Sequence, residues 1–165
     1  MSNKKYQIFV SSTYEDLKEE RKSIIENISK MGHFPVGMEL FVASTDEQFE
    51  YIKKVIDNCD YYILIIGGRY GSISQKTKMS YTEMEYDYAI DKGIPVLVFP
   101  YSNIEQIPTN KKDKDLTQIK DFHKKVSQNR MCDFWDDKNK LLSYKSIIFS
   151  IFTKTTILYI LFFCS

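Results

Sequence analysis

The chain has 165 residues, a length that suits one globular domain with a core of ordinary size. Its 23 basic and 22 acidic side chains leave a formal net charge of +1, so bulk electrostatics predict neither a nucleic-acid partner nor a membrane-surface partner. Cys59, Cys132 and Cys164 lie far apart, without the spacing of metal ligands. We therefore expect reduced thiols, no metal site and, because no signal peptide precedes the first strand, a cytoplasmic protein.

The first half of the chain alternates strand and helix patterns. Residues 6–10 predict an apolar strand, and a capping box, a serine and a glutamate three positions apart, starts the helix that follows. A glycine ends that helix, a weaker strand spans residues 34–40, and another capping box starts the second helix. The residues that give these signals are Ser12 with Glu15, Gly32, and Ser44 with Glu47.

The second half begins with the strongest strand, residues 61–66, which is apolar throughout and therefore predicted to be central in a sheet. The glycine-rich loop 67–71 ends this strand. Ser80 with Glu83 then caps a third helix, and Gly93 ends it. The remaining predicted elements are a strand at residues 96–99, a helix that ends near Arg130, a short aromatic strand at residues 132–135 and a helix from about Lys138.

These repeated units predict an α/β, flavodoxin-like three-layer fold, with a five-stranded parallel sheet in the order 2-1-3-4-5 and helices on both faces. Ligands of such folds bind outside the carboxyl ends of the strands, here between the first and third strands. We assign residues 1–145 to this domain and residues 146–165 to an atypical apolar tail, either docked or truncated. The uninterrupted apolar run in the tail is too short for a membrane anchor to be expected.

Two loops at the predicted crevice could hold a nucleotide. The first presents hydroxyl and N–H groups at a helix N-terminus, which suits an anion, although a capping box alone would explain them. The second permits close backbone approach and carries an arginine that could pair with a phosphate, although a tight turn explains its glycines nearly as well. The expected substrate-binding residues in these loops are Ser11, Ser12, Thr13, Gly67, Gly68, Arg69 and Tyr70.

Glu85, in the third helix, is the candidate catalytic residue. Helical spacing places it on one face with Tyr81, Tyr88 and Ala89, and that face should lie against the sheet. We therefore expect a desolvated carboxyl group among aromatic rings. Tyr81 is expected to line the substrate site. Glu39, at the end of the second strand, could face the same crevice or could be a solvated charge.

Three segments carry a resemblance to a known family: residues 8–17, 63–71 and 80–86, which read IFVSSTYEDL, ILIIGGRYG and SYTEMEY. They resemble the bacterial family called domain of unknown function 4062, from residue 5 to about residue 145. That family is similar to TIR domains and to nucleoside deoxyribosyltransferases. Its members usually stand at the N-terminus of larger proteins with NTPase or repeat regions, many suspected in antiphage defence. The resemblance thus implies a C-terminal region that is missing here.

The resemblance also implies a chemistry for Glu85. In enzymatic TIR domains and in the deoxyribosyltransferases, a glutamate is followed by a bulky residue and, four positions on, by an alanine, as in Glu85, Tyr86 and Ala89. These enzymes cleave N-glycosidic bonds, of NAD in the first case and of deoxynucleosides in the second. Cleavage builds positive charge on the sugar, which one carboxylate can stabilise or attack. Nicotinamide leaves as a neutral group, so no second acid is required.

The leading hypothesis is therefore a TIR-like module of bacterial defence or signalling that hydrolyses NAD or a related nucleotide, with Glu85 as the catalytic carboxylate and no cofactor. The alternative is a non-catalytic domain that self-associates as a homo-oligomer or recruits partners. A deoxyribosyltransferase is a third hypothesis, for which only Asp60 or Glu39 could supply a second acidic group.

Overall fold

Four apolar runs of the sequence form a parallel β-sheet in the order β2-β1-β3-β4. The computed structural model describes residues 4–37, 46–129 and 131–143. The strands are β1 (Gln7–Ser11), β2 (Phe34–Gly37), β3 (Tyr61–Ile66) and β4 (Val96–Pro100). The central position predicted for the third strand is confirmed, because β3 pairs with both β1 and β4 and is buried along nearly its whole length.

Helices cover both faces of the sheet, as predicted. They are α1 (Lys18–Lys30), α2 (Asp46–Asp57), α3 (Tyr81–Asp91), α4 (Thr117–Val126) and α5 (Lys138–Ser143). Successive strand side chains point to opposite faces, so Phe9 and Tyr62 pack with α2, α3 and α4, whereas Ile8 and Ile63 pack with α1 and α5. Within the described ranges, no helix combines the length and the apolar character that crossing a bilayer requires.

The helix ends follow the sequence signals only in part. Gly32 and Gly93 end α1 and α3 with φ of +80° and +69°, a conformation that glycine adopts without steric cost, as predicted. The Ser80 hydroxyl accepts a hydrogen bond from the backbone N–H of Glu83 at 3.1 Å, which confirms the helix start. The Glu83 carboxylate, however, does not complete a capping box. It binds the Tyr70 hydroxyl and Lys125 instead.

The capping box predicted from Ser12 and Glu15 is wrong. The first helix begins only at Lys18, and its N-cap residue, Leu17, makes no side-chain hydrogen bond. A turn comes first, in which the Thr13 hydroxyl donates to Asp16 Oδ1 at 2.5 Å. Because Asp16 Oδ2 also accepts from the backbone N–H of Gly68, this turn is fixed by the loop after β3 and not by the helix itself.

The predicted fifth strand is also wrong, since the described residues form a sheet of only four strands. The aromatic segment does run beside β4, but only two isolated bridges join them, at Cys132 and at Trp135. Val98 and Ser102 each donate a backbone hydrogen bond to this segment. Pro100 lies between them and has no N–H, so it cannot donate the ladder hydrogen bond that would join the two bridges into a strand.

Several predictions fall outside the described residues. These are the orientation of Glu39, the end of the second strand beyond Gly37, the capping role of Ser44, the helix end near Arg130 and the tail at residues 146–165. The helix predicted to reach Arg130 is regular only to Val126, after which a turn follows.

Candidate active site

Glu85 lies on the inner face of α3 with its carboxyl group against the end of β1. Its side chain is withdrawn from water, and the residue is only 2% exposed. The Ser11 hydroxyl, which is fully buried at the last position of β1, donates a hydrogen bond to Glu85 Oε2 at 2.6 Å. The desolvated setting predicted for this carboxyl group is therefore confirmed, and Ser11 is its neighbour.

Two opposing influences set the proton affinity of Glu85. Burial raises its pKa from the ordinary 4.5 to about 7, because the ionised form loses its hydration. The Ser11 hydrogen bond and the positive charge of Arg21 act in the other direction and lower the pKa. Near neutral pH, the carboxyl group is thus present in both its protonated and its ionised form, unlike a glutamate on the surface.

Arg21 is a member of this site that the sequence analysis missed. It projects from α1, is 3% exposed, and its Nη1 donates to the Ser12 hydroxyl at 3.2 Å. The signal was available, because Arg21 interrupts the apolar stripe of α1 between Leu17 and Ile24. A cation at such a position is expected to need a buried countercharge.

Tyr62 is a second addition to the site, since the sequence places it only among the tyrosines that cluster near the candidate site. Its ring stacks on Phe9 at a centroid distance of 5.5 Å, and its hydroxyl is buried next to Ser11. Burial raises the pKa of this hydroxyl well above its usual value, and the negative charge of Glu85 raises it further. The tyrosine cluster was the only signal for Tyr62, which lies in a strand of otherwise aliphatic residues next to another tyrosine.

The aromatic surroundings of Glu85 differ in one residue from the prediction. Tyr81 and Ala89 are buried with it, as expected. Tyr88 is only half-buried, and its hydroxyl donates to the Asp57 carboxylate on α2. Tyr86 is buried instead of Tyr88. The face of α3 that packs against the sheet is therefore rotated by part of a turn, towards Tyr86, from the face that helical spacing predicts.

The hydroxyl groups of the first loop are engaged within the protein. Ser12 and Thr13 are each 9% exposed. The Ser12 hydroxyl accepts from Arg21 and donates to the carbonyl of Thr13 at 2.9 Å, while Thr13 donates to Asp16. Burial raises the pKa of Asp16 above its usual value, although its hydrogen bonds oppose this. Ser11 is the residue of this loop that reaches Glu85.

The glycine-rich loop packs against the protein's own chain. A Cβ atom on Gly67 would lie 2.6 Å from Asp16 Oδ2, and one on Gly68 would lie 2.5 Å from Lys112 Cβ. The Arg69 guanidinium donates to the carbonyl of Asn110 at 3.0 Å. Tyr70 donates its backbone N–H to Asp113 and its hydroxyl to Glu83, at 2.7 and 2.6 Å. The close approach of Asp16 accounts for Gly67, and that of residues 111 and 112 accounts for Gly68.

A Gly68→Ala substitution is expected to destabilise the folded chain by about 2 kcal/mol or more, because the added methyl group would overlap the backbone of residues 111 and 112. Gly32→Ala is the matched control. Its Cβ would meet nothing within 4 Å, so only the positive φ is penalised and a loss of about 1 kcal/mol is expected. Urea denaturation of both variants measures the difference. Equal losses would contradict the packing assigned to Gly68.

A cavity of about 200 Å³ lies next to this loop, at the carboxyl ends of β3 and β4. Gly67, Gly68 and Asp16 line it, whereas Ser11 and Glu85 do not. The structure thus brings Ser11 together with Glu85 and places the glycine-rich loop beside a different space. Among the residues that the model describes, no group of three or more histidine, cysteine or acidic side chains could hold a metal ion.

Three comparisons place this geometry among known proteins. The model of a family described as "Domain of unknown function (DUF4062)" matches residues 7–146. The solved structure of the CMP N-glycosidase BcmB from Clostridium botulinum aligns with a TM-score of 0.53 at 14% identity, over 86% of this chain and 98% of that one. A flavo di-iron protein from Thermotoga maritima gives a TM-score of 0.47 at 19% identity, over 91% of this chain and 36% of that one. No curated protein matches significantly. At 14% identity, the likeness to BcmB is one of fold.

Proposed function

Because the chain belongs to the family of domains of unknown function DUF4062, we propose that it hydrolyses the N-glycosidic bond of a nucleotide, NAD or a relative, with Glu85 as the catalytic carboxylate. The proposal rests mainly on the burial of Glu85 beside the end of β1, a central strand of the sheet. Ser11 fixes the position of one carboxylate oxygen, and Arg21 supplies a nearby positive charge. A role in bacterial defence or signalling is part of the proposal.

The chemistry requires one ionised carboxylate beneath the sugar. As the bond to the base breaks, positive charge grows on the ring, and a carboxylate withdrawn from water stabilises that charge or attacks it far more effectively than a hydrated one. Water then completes the hydrolysis. Glu85 has the required setting, because its carboxyl group is desolvated while the Ser11 hydroxyl and Arg21 favour its ionised form.

The choice among nucleotides follows from the leaving group. Nicotinamide departs from NAD as a neutral molecule, so a site with a single buried carboxylate needs no acid to protonate it. Cytosine departs less readily without a proton, and the likeness in fold to a CMP N-glycosidase makes CMP the second substrate to test. Ser12, Thr13, Arg69, Tyr70, Tyr81 and Glu39 remain the residues proposed to contact the substrate, whereas Gly67 and Gly68 line a different space.

A second candidate function has an observation in its favour. Because Glu85 is only 2% exposed, a substrate can reach it only if the residues that cover it move. A non-catalytic domain that self-associates or recruits partners would need no such access. In that case, Glu85 and Arg21 would be a buried charge pair that specifies the packing of α3 against β1.

The test is release of free base by the purified chain. Nicotinamide from NAD and cytosine from CMP are separated by chromatography and measured at low protein concentration, and again at high concentration with a crowding agent, which favours self-association. We expect nicotinamide release that increases more than linearly with protein concentration if assembly opens the site. The absence of both bases under all conditions, from protein shown to be folded, would support the scaffold function.

A further inference from the structure

The loop of residues 71–78, called the flap below, begins beside the Glu85 site. A Cβ atom on Gly71 would lie 3.0 Å from the methyl group of Thr13 and 3.6 Å from the hydroxyl oxygen of Thr82. Thr13 lies just past the end of β1, and Thr82 lies three positions before Glu85, on the same side of α3. The flap therefore starts between the two elements that hold the Glu85 carboxyl group.

Most of the flap is exposed to solvent. Within residues 71–78, all of which are described, only Ser74 is buried, and its side chain is fully enclosed. Backbone hydrogen bonds join the flap to the start of α3: Ser74 donates to the carbonyl of Met79 at 2.9 Å, and Tyr81 donates to the carbonyl of Ser72 at 3.0 Å. Because so little apolar surface is buried here, local opening of the flap is expected to require little free energy.

One carboxylate oxygen on α2 holds the flap and the start of α3 together. Asp46, the first residue of α2, accepts hydrogen bonds at Oδ1 from the Ser74 hydroxyl at 2.9 Å and from the Tyr81 hydroxyl at 3.0 Å. Tyr81 is the first residue of α3 and lies about one turn before Glu85. Asp46 is exposed, so water can compete for both hydrogen bonds and release them.

The two ends of the flap have backbone conformations that suit hinges. Gly71 has a φ of +95° and Lys78 a φ of +62°. Among the described residues, Lys78 is the only one other than glycine with a positive φ, a conformation that is unfavourable for any residue with a Cβ atom. Opening of the flap would relieve this strain, and hinges of moving loops are a few such positions that absorb a change in φ and ψ.

We propose that the flap is a gate to Glu85, closed in this structure and held by the hydrogen bonds of Ser74 and Tyr81 to Asp46. When Asp46 releases them, the flap turns about its two ends and uncovers the end of β1 and the first turn of α3. The same step frees the Tyr81 hydroxyl for the substrate contact proposed above. This inference rests on the proposed function, because it names the route by which a nucleotide reaches Glu85.

Access to the site can be measured without any reaction of a nucleotide. Ser11→Cys places a thiol beside Glu85, and its alkylation by iodoacetamide is followed by peptide mass spectrometry, which distinguishes it from the native cysteines. Adding Asp46→Ala is expected to speed this alkylation about tenfold, because two hydrogen bonds that hold the gate are lost. Glu47→Ala, which removes the neighbouring acidic group in the first turn of α2, is the matched control and should leave the rate unchanged. Equal rates in the two double variants would overturn the proposal.

Amide hydrogen exchange is a second measurement, and it decides if Ser11→Cys does not fold. The backbone N–H groups of Ser74 and Tyr81 are expected to exchange about tenfold faster in Asp46→Ala than in the parent, because opening breaks their hydrogen bonds. Tyr88→Phe is the control, since it removes a hydroxyl contact between α2 and α3 at their other ends and should leave this exchange unchanged. Unchanged exchange in Asp46→Ala would show that Asp46 does not hold the flap.

The rate of base release separates the gate from the reaction. At NAD concentrations below saturation, Asp46→Ala should release nicotinamide about tenfold faster than the parent, because more molecules are open, and Glu47→Ala should keep the parent rate. Faster alkylation and exchange with no base released by any variant would support the gate and refute the proposed reaction. Base release at the parent rate despite faster alkylation would show that the flap is not the route of the substrate.

Discussion

Glu85→Gln is expected to be more stable than the parent chain at pH 8, by up to about 3 kcal/mol, and equally stable near pH 4. The reason is the desolvation of the carboxyl group. Its pKa rises from the ordinary 4.5 to about 7 on folding, so the folded chain holds a proton that the unfolded chain has lost. The stability of the parent is therefore full below pH 4.5 and declines as the pH rises to about 7.

Urea denaturation at pH 4 and pH 8 measures this difference. Glutamine does not ionise, and its amide oxygen can still accept the hydrogen bond of Ser11, so the variant lacks the penalty of burying a charge. Glu50→Gln, an exposed position on α2, is the control and should change little at either pH. A variant less stable than the parent at pH 8 would mean that the Glu85 charge is compensated within the fold.

The rate of base release is expected to rise about 100-fold between pH 5 and pH 9, with a midpoint near pH 7. Only the ionised carboxylate can stabilise the charge on the sugar, and a group with a pKa of about 7 is ionised in about one molecule in a hundred at pH 5. The measurement is kcat/KM against pH for the best nucleotide. A rate that is flat over this range would exclude Glu85 as the titrating group.

The effect of Arg21 on the midpoint of the pH profile tests whether Glu85 is the group that titrates. Its charge lowers the pKa of Glu85, so Arg21→Gln should move the midpoint to higher pH without abolishing the plateau rate. Lys22→Gln, the exposed neighbour on α1, is the control and should leave the midpoint in place. If both variants shift the midpoint equally, a general change in surface charge is responsible and not the buried guanidinium.

The order of the four strands could be predicted because each gives a local signal, weaker in β2, and because crossovers between parallel strands are right-handed. The third run is apolar at every position, which only a strand buried on both faces tolerates, and Gly32 and Gly93 mark helix ends through their own backbone freedom. The fifth strand was predicted wrongly because the feature that prevents it lies in the neighbouring strand, β4, and not in the aromatic segment itself. Pro100 of β4 lacks the N–H that would continue the ladder.

The start of α1 could not be read from its own residues. Ser12 and Glu15 have the capping-box spacing, but Asp16 accepts hydrogen bonds from both Thr13 and Gly68, and the second of these lies 52 positions away. The same holds for the glycine-rich loop, where Gly67 is required by the close approach of Asp16 and Gly68 by that of residues 111 and 112. Spacing along the chain carries no information on such distant partners.

The burial of Glu85 could be predicted from helical spacing, whereas its polar neighbours could not. Ser11 was expected to hold an anionic ligand, and the structure shows it donating to Glu85. Arg21 could have been found from its place in an apolar stripe. The place of Tyr62 beside Glu85 could not be predicted, because an aromatic residue in a buried strand is ordinary and only the three-dimensional arrangement brings its hydroxyl close to that carboxyl group.

The most direct measurement is the rate of nicotinamide release from NAD by the parent and by Glu85→Gln at pH 8, where the variant is expected to be at least as well folded. If the carboxylate stabilises or attacks the sugar cation, the variant should be slower by about a thousandfold, while Glu50→Gln keeps the parent rate. Equal rates in parent and Glu85→Gln would contradict the assignment of the reaction to this buried carboxyl group.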